Sequence, residues 1–304
     1  MQTDRGSILN RSEEAPAFTA PPGPFDNSLI HPFKLVVTVR GVIMAASNDN
    51  NFQYFDLSGK ISLVTGAGRG IGRAAALALA RAGSDAALVA RSKDELDAVA
   101  AEIRNLGRQA AAFPADLTQT QHLAALTEKI AGTMGAIDIL VNNAGINIPQ
   151  DSVDVTEEAW DAIMNINLKG AFFMAQAVGK IMIAQGRGGR IINITSQTGS
   201  VALAKRAVYC ASKAGLNLIT KVLAMEWAPH GVLVNAVAPT FIETELSKGF
   251  LADPEFRRYA MSKNLLKRFG APDDVAGAVL YLASPIANMV TGHVLLVDAG
   301  WTAH

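Results

Sequence analysis

From Lys60 onward the chain alternates short runs of β-branched and small apolar residues with longer segments rich in Ala and Leu, and this alternation narrows the possible folds more than any other feature. A short run that stays apolar without polar alternates reads as a strand covered on both faces, and the Ala/Leu segment after it reads as a helix covering one of them. Repeated strand–helix–strand units build a parallel sheet. Ile61–Thr65, Ala86–Ala90, Ala110–Pro114, Ile137–Asn142, Arg190–Thr195, Val232–Ala238 and His293–Val297 are the expected strands. The expected fold is therefore α/β, a doubly wound parallel sheet of about seven strands with helices on both faces. Right-handed crossovers in such a sheet leave a ligand crevice at the carboxyl ends of the strands, where strand order reverses.

The length of 304 residues and a half-hydrophobic composition suit one such domain of about 250 residues with an appendage. The domain is placed at 51–304. Residues 1–50, with Pro16, Pro21, Pro22 and Pro24 behind Asp4, Glu13 and Glu14, read as a disordered or loosely docked extension, and Met44 is a candidate alternative start. The most apolar early stretch, Leu35 to Met44, is broken by Arg40 and is too short to span a bilayer, so no membrane segment is expected. Twenty-seven basic residues balance twenty-seven acidic ones, and no basic block suggests nucleic acid. A single cysteine, Cys210, excludes an intrachain disulfide and any multi-cysteine metal site, and it points to a reducing, cytoplasmic setting. The five histidines, His31, His122, His230, His293 and His304, are scattered, so no metal is expected.

The first strand runs directly into Thr65-Gly66-Ala67-Gly68-Arg69-Gly70-Ile71-Gly72, with a helix starting near Ile71. Glycines in that position let the backbone approach a pyrophosphate, whose charge is met by unpaired N–H groups at the helix start; many ordinary strand–helix turns also look like this. At the end of the second strand an acidic residue would accept hydrogen bonds from the ribose hydroxyls of NAD. Ala90 stands there instead, followed by Arg91 and Ser92, and Arg69 offers a second guanidinium. Cations without a carboxylate suit a 2′-phosphate, so NADP(H) is favoured, with NAD(H) possible. Asp116, beside Leu117 after the third strand, reads either as a partner for an adenine amino group or as a cap for the next helix.

Four further positions carry potential chemistry. Asn143-Ala144-Gly145 follows the fourth strand and can line a cofactor, or can be a plain turn. Tyr209 and Lys213 lie four apart in a helical segment and share a face. A phenol with a pKa near ~10 exchanges protons poorly at neutral pH unless a cation such as the Lys213 ammonium lowers it, although a surface Tyr and Lys would show the same spacing. Ser196, at the end of the fifth strand, can polarise a carbonyl or stabilise a turn, with Thr195 as its rival. Asn167, inside a long apolar helix, either satisfies the backbone at a local distortion or anchors a water leading to Lys213.

Taken together, the glycine turn, Asn-Asn-Ala-Gly, Asn167, Ser196 and the Tyr-x-x-x-Lys pair resemble the short-chain dehydrogenase/reductase family, ordinary single-domain type, over residues ~57 to 304. The resemblance implies a Rossmann-type fold and a catalytic tetrad of Asn167, Ser196, Tyr209 and Lys213. Tyr209 would protonate the developing alkoxide, Ser196 would hydrogen-bond it, Lys213 would also hold the nicotinamide ribose, and Asn167 would hold a proton-relaying water. It further implies cofactor contacts from Gly66, Arg69, Gly70, Ile71, Gly72, Arg91, Ser92, Asp116, Leu117, Asn143, Ala144, Gly145, Tyr209, Lys213, Pro239 and Thr244. Two positions depart from the family pattern: Thr240 stands where glycine usually follows Pro239, and Asp298-Ala299-Gly300 replaces Asp-Gly-Gly.

Loops at the carboxyl edge should wall the substrate pocket. Asn147, Gln150, Gln197 and Arg206 can hydrogen-bond a hydroxylated substrate, although Arg206 reads first as a surface residue. Phe241, Leu246 and Phe250 belong to a segment, 241–264, that reads as a mobile lid. Relatives that reduce 3-oxoacyl groups on acyl carrier protein often carry an arginine where this chain has Met225. The Glu226-Trp227-Ala228 turn and the Trp301 ending look more like members acting on sugars, polyols or cyclic alcohols. An acyl-carrier-protein reductase and a silent NADP-binding regulator remain as alternatives. Cys210 lies about 100° round the helix from Tyr209 and reads as a core or interface thiol. Apolar excess on the helices near 157–185 and 208–229 suggests a homotetramer.

Overall fold

The computed structural model of the chain describes residues 53–303, so the expectations for residues 1–50 and Met44 lie outside the described residues. Seven parallel strands form one sheet in the order β3-β2-β1-β4-β5-β6-β7. They are β1 Ile61–Thr65, β2 Asp85–Ala90, β3 Ala110–Pro114, β4 Ile139–Asn142, β5 Gly189–Ile194, β6 Val232–Pro239 and β7 Val294–Val297. The helices are α1 Gly70–Arg81, α2 Lys93–Asn105, α3 Leu123–Met134, α4 Glu157–Met164, α5 Ala171–Gln185, α6 Ala207–Trp227, α7 Glu245–Leu251, α8 Pro254–Lys263 and α9 Pro272–Ala283.

Successive strand residues point to opposite faces, and here both faces are covered. On β1, Val64 enters a core cluster with α1, α2 and α9 residues such as Leu79, Ile103 and Val279. Its neighbour Leu63 enters the opposite cluster, with Ile130 of α3, Val178 of α5 and Leu223 of α6. This two-sided burial is why the strands read as unbroken apolar runs rather than alternating ones. Leu140, fully buried on β4, is typical: truncation to Ala there should cost about 2–5 kcal/mol.

Two strands, β4 and β7, start later than expected, and in each the displaced residue is held by a side chain. Ile137 gives its N–H to Gln185 Oε1 (3.0 Å) and accepts Gln185 Nε2 at its carbonyl (2.9 Å), so its backbone is satisfied before the ladder starts at Ile139. The His293 N–H goes to Asn235 Oδ1 (3.0 Å), and β7 begins one residue later.

Order reverses between β1 and β4, whose pairing aligns Val64 with Val141. The chain therefore leaves a crevice beyond Thr65 and Asn142, flanked by the start of α1. The long helix expected near 157–185 is broken by a π-helical turn, Asn165–Gly170, between α4 and α5.

Candidate active site

The groove beyond β1 and β4 has a volume of about 780 Å³ and is lined by Gly66, Arg69, Gly70 and Ile71 from the glycine turn. Ala90, Arg91 and Ser92 from the end of β2, Asp116 and Leu117 after β3, and Asn143, Ala144 and Gly145 after β4 complete its walls. Gly66 has φ +63°, which side-chain-bearing residues rarely adopt. A Cβ on Gly72 would stand 2.2 Å from the Gly66 carbonyl oxygen and 2.6 Å from Asn143 Nδ2. Gly72 itself does not line the groove; it lets the turn close against Asn143. These constraints bring the backbone N–H groups at the start of α1 to the groove floor, a cradle for an anion.

Thr65 fixes the opposite wall. Its Oγ1 accepts the Asn143 N–H (2.9 Å) and the Ala144 N–H (3.0 Å), and Asn143 Nδ2 donates to the Thr65 carbonyl (2.9 Å). A threonine at the end of a strand carries no distinct signal in the sequence.

At the end of the groove beside β2, Ser92 caps α2 by accepting the Glu95 N–H (3.4 Å). Arg69 lies 3.7 Å from Glu95, both largely exposed, so one of the two expected cations already faces a carboxylate. Asp116 accepts the Thr118 N–H (2.9 Å) and hydroxyl (2.8 Å). Those two bonds, with a smaller contribution from Arg91, hold its carboxyl below the usual range.

A second cavity of about 130 Å³ adjoins the groove, sharing Ile71, Asn143, Gly145, Ile146, Asn147 and Thr244 with it. Ser196, Tyr209 and Lys213 all line it, with Gln197, Arg206, Pro239, Thr240, Phe241, Leu246 and Phe250. Asn147 is on its wall, but Gln150 is not. The Gln150 N–H bonds the Lys205 carbonyl (3.0 Å) and ties its loop to the neighbouring surface. The 241–264 segment contributes α7 and α8. Thr244 caps α7, its N–H donating to Ser247 Oγ (3.0 Å).

Asn167 is fully buried in the π turn, where its Oδ1 accepts the Ile146 N–H (2.8 Å). Its Nδ2 donates to the Ile146 carbonyl (2.9 Å) and to Ser212 Oγ (3.2 Å). The widened turn thus satisfies buried backbone groups and couples the lip of the cavity to α6. Ser196 Oγ donates to Gln197 Oε1 (2.9 Å) and accepts the Thr198 N–H (3.2 Å) and hydroxyl (3.0 Å). Thr195, its rival, donates to the Val237 carbonyl (3.3 Å) and is occupied in the sheet.

Lys213 is 4% exposed and donates from Nζ to the Ile194 carbonyl (2.9 Å). Burial pulls its pKa down to about 8. Its Nζ sits 5.7 Å from the Tyr209 ring centroid. Tyr209 keeps some exposure to the cavity, but desolvation pushes its phenol up to about 12, against the opposing pull of Ser196 and of Arg206. In the protein by itself, then, burial outweighs the lowering expected from Lys213, and the cation acting on the phenol is Arg206.

Arg206 is not the surface residue the sequence suggests. It is 5% exposed, its guanidinium lying 4.8 Å from the centroid of Phe250 and 5.6 Å from that of Phe256. Those rings come from α7 and α8, more than forty residues on, which no local pattern around Arg206 could reveal. Cys210 is half-buried and packs against a cluster of Leu203, Leu251, Ala260, Phe269 and Trp301.

A family model described as enoyl-(acyl carrier protein) reductase matches residues 66–302. The 2-dehydro-3-deoxy-D-gluconate 5-dehydrogenase of Escherichia coli (strain K12) is 38% identical over 249 residues, covering 82% of this chain and 98% of that protein. Among solved structures, a short-chain type dehydrogenase/reductase from Mycobacterium marinum is 39% identical with a TM-score of 0.79, over 83% of this chain and 99% of its own. A gluconate 5-dehydrogenase from Burkholderia cenocepacia J2315, in complex with NADP and tartrate, is 36% identical with a TM-score of 0.80, over 83% and 99%.

Proposed function

Because the chain belongs to the short-chain dehydrogenase/reductase family, and is a nicotinamide-dependent oxidoreductase acting on CH–OH groups, we propose that it interconverts a secondary alcohol and a ketone of a small sugar, polyol or cyclic alcohol. The observation that carries this reading is the convergence of Ser196, Tyr209 and Lys213 on one cavity that adjoins the glycine-lined groove. The cradle closed by Gly66 and Gly72 fits a dinucleotide pyrophosphate, and the groove is long enough to run from Arg91 to the cavity. When bound there, the nicotinamide supplies or accepts the hydride.

The chain's own residues handle the proton. At pH 7 Tyr209, with its pKa near 12, is a phenol and donates to the oxygen of the ketone as it becomes an alkoxide. Ser196 Oγ, which accepts from Thr198 and gives its one proton to Gln197 Oε1 when no substrate is bound, turns that proton to the ketone oxygen. Lys213, with its pKa near 8, is an ammonium at pH 7, fixed by the Ile194 carbonyl beside the ring of Tyr209. Asn167 positions the Ile146–Asn147 lip, and Pro239 and Thr244 close the far wall.

NADP(H) is our preferred cofactor. Ala90 supplies no carboxylate, and Arg91, with no ion pair among the described residues, offers its guanidinium at the groove edge. Leu218, Val222 and Met225 recur along one exposed face of α6, a pattern that supports burial between copies in a homotetramer. The lone free thiol, Cys210, is in keeping with a cytoplasmic enzyme.

The test is nicotinamide absorbance with NADPH and NADH against ketoses, cyclic ketones and an acetoacetyl thioester. Turnover of a ketose or cyclic ketone should fall by about 10²–10⁴ in Tyr209→Phe while NADPH still binds. Turnover of the thioester alone would favour an acyl reductase, and binding without any turnover would leave a regulator.

A further inference from the structure

We propose that Arg206 is an anion subsite, and that the substrates this enzyme prefers carry a carboxylate, as a sugar acid or hydroxy acid does. The inference rests on the reading of the adjoining cavity as the substrate site and adds the charge of what enters it.

Arg206 lines the same cavity as Ser196, Tyr209 and Lys213, and only 5% of it is exposed. A guanidinium carries five N–H donors and keeps its charge at any physiological pH. Among the described residues only one weak hydrogen bond takes up any of them, from Nη1 to the carbonyl of adjacent Lys205 at 3.5 Å. Its Nε is buried without a partner among those residues. Among the described residues no carboxylate pairs with it, and none of the residues lining the cavity is Asp or Glu. Phe250 and Phe256 can offset part of the charge through their ring faces, but a ring does not satisfy in-plane donors in the way an oxygen does.

Burying a cation without a counter-ion is among the costlier arrangements a fold can hold. Nearby Lys205 shows the ordinary solution, pairing with Asp151 at 3.1 Å on the surface. Arg206, one residue on, points instead into a cavity with a second cation, Lys213, and no acid. The missing counter-charge is then the ligand's. A planar carboxylate matches the guanidinium fork with two parallel hydrogen bonds to two oxygens, whereas a hydroxyl offers a single oxygen and brings no charge. The aromatic walls would exclude water from that pair and strengthen it.

The rival account makes Arg206 a structural clamp that holds α7 and α8 over the cavity. Two probes with the same carbon chain separate the accounts: D-gluconate, with a carboxylate, and D-glucitol, with a hydroxymethyl group in its place. Calorimetric titration of each into the full-length protein, with and without NADP⁺, should show gluconate binding at least tenfold more tightly. Arg206→Met should reduce that ratio to near one, and Arg206→Lys should restore part of it.

Equal affinity of the two probes for the wild type, binding of neither, or a parallel loss of both in Arg206→Met would overturn the proposal. Because the readout is binding, it does not depend on turnover. If gluconate is preferred through Arg206 but Tyr209→Phe leaves ketone reduction intact, the subsite stands and the proposed reaction chemistry fails. Tyr209-dependent reduction of neutral ketones without a gluconate preference would instead sink the subsite and leave the reaction chemistry standing.

Discussion

Replacing Lys213 with Met should stabilise the unliganded protein at pH 7 and lose that advantage as the pH rises. Lys213 is 4% exposed, and its pKa falls from the ordinary 10.5 to about 8 in the fold. The difference, 10.5 − 8, is about 2.5, and at ~1.4 kcal/mol for each pKa step the fold bears about 3 kcal/mol to keep the ammonium buried. The folded-state pKa of this base is depressed, so the cost is complete below pH 8, where both states are protonated. It shrinks as pH rises from 8 to 10.5, because there the unfolded chain binds the proton and the folded one does not. Met fills similar space without charge, but it leaves the Ile194 carbonyl without its 2.9 Å donor, a loss of about 1–3 kcal/mol. The variant should therefore match or exceed the wild type by up to ~2 kcal/mol at about pH 6.5, and near pH 10, where about 1 kcal/mol of the ammonium's cost remains, fall below it by up to ~2 kcal/mol. Urea unfolding of both proteins at about pH 6.5, 8 and 10 measures the difference, and contributions from other titrating groups cancel in it. A stability difference that stays flat across this range would refute the assignment of a buried ammonium. Turnover should be lost throughout, a case of an active site held at the expense of stability.

Two further outcomes follow from the geometry. Gly72→Ala places a Cβ 2.2 Å from the Gly66 oxygen, so the glycine turn must open; NADPH affinity, read by nucleotide fluorescence, should drop at least tenfold and the melting temperature with it. Unchanged affinity would detach the turn from dinucleotide binding. Light scattering at working concentration should give the mass of four chains, and changing Leu218, Val222 and Met225 together to Glu should shift it downward; a wild-type monomer would exclude the α6 interface.

How much of this is legible in the sequence depends on how local each cause is. The seven strands can be read because their apolar runs answer to two-sided burial, a property carried by the run itself. Tyr209 and Lys213 can be paired because four residues is about one helical turn. The ladder of β4 starts two residues later than its apolar run suggests, at Ile139 rather than Ile137, because the deciding partner, Gln185, stands 48 positions away. Arg206 is hidden for the same reason: Ala-Lys-Arg looks like a solvated stretch until Phe250 and Phe256 close over it. Nor does the sequence show that the Lys213 ammonium is held by a strand-end carbonyl, or that desolvation sets the phenol's proton affinity before any ligand arrives. The Asn167 distortion can be anticipated from an amide in an apolar helix, but the loop backbone it holds cannot.

The π turn between α4 and α5 also has a geometric consequence for the whole rod that the two helices make. A π turn accommodates about one residue more than α-helical winding would, and one residue corresponds to ~100° of rotation about the axis. The buried side of α4, marked by Ala159 and Ile163, is therefore out of phase with that of α5, marked by Met174, Val178 and Met182. A single continuous rod could not present both faces inward at once. Deleting one residue between Asn165 and Gly170 would regularise the hydrogen bonding and, in doing so, turn one half of the rod away from its partners, so the length of this stretch is as constrained as the identity of Asn167 within it.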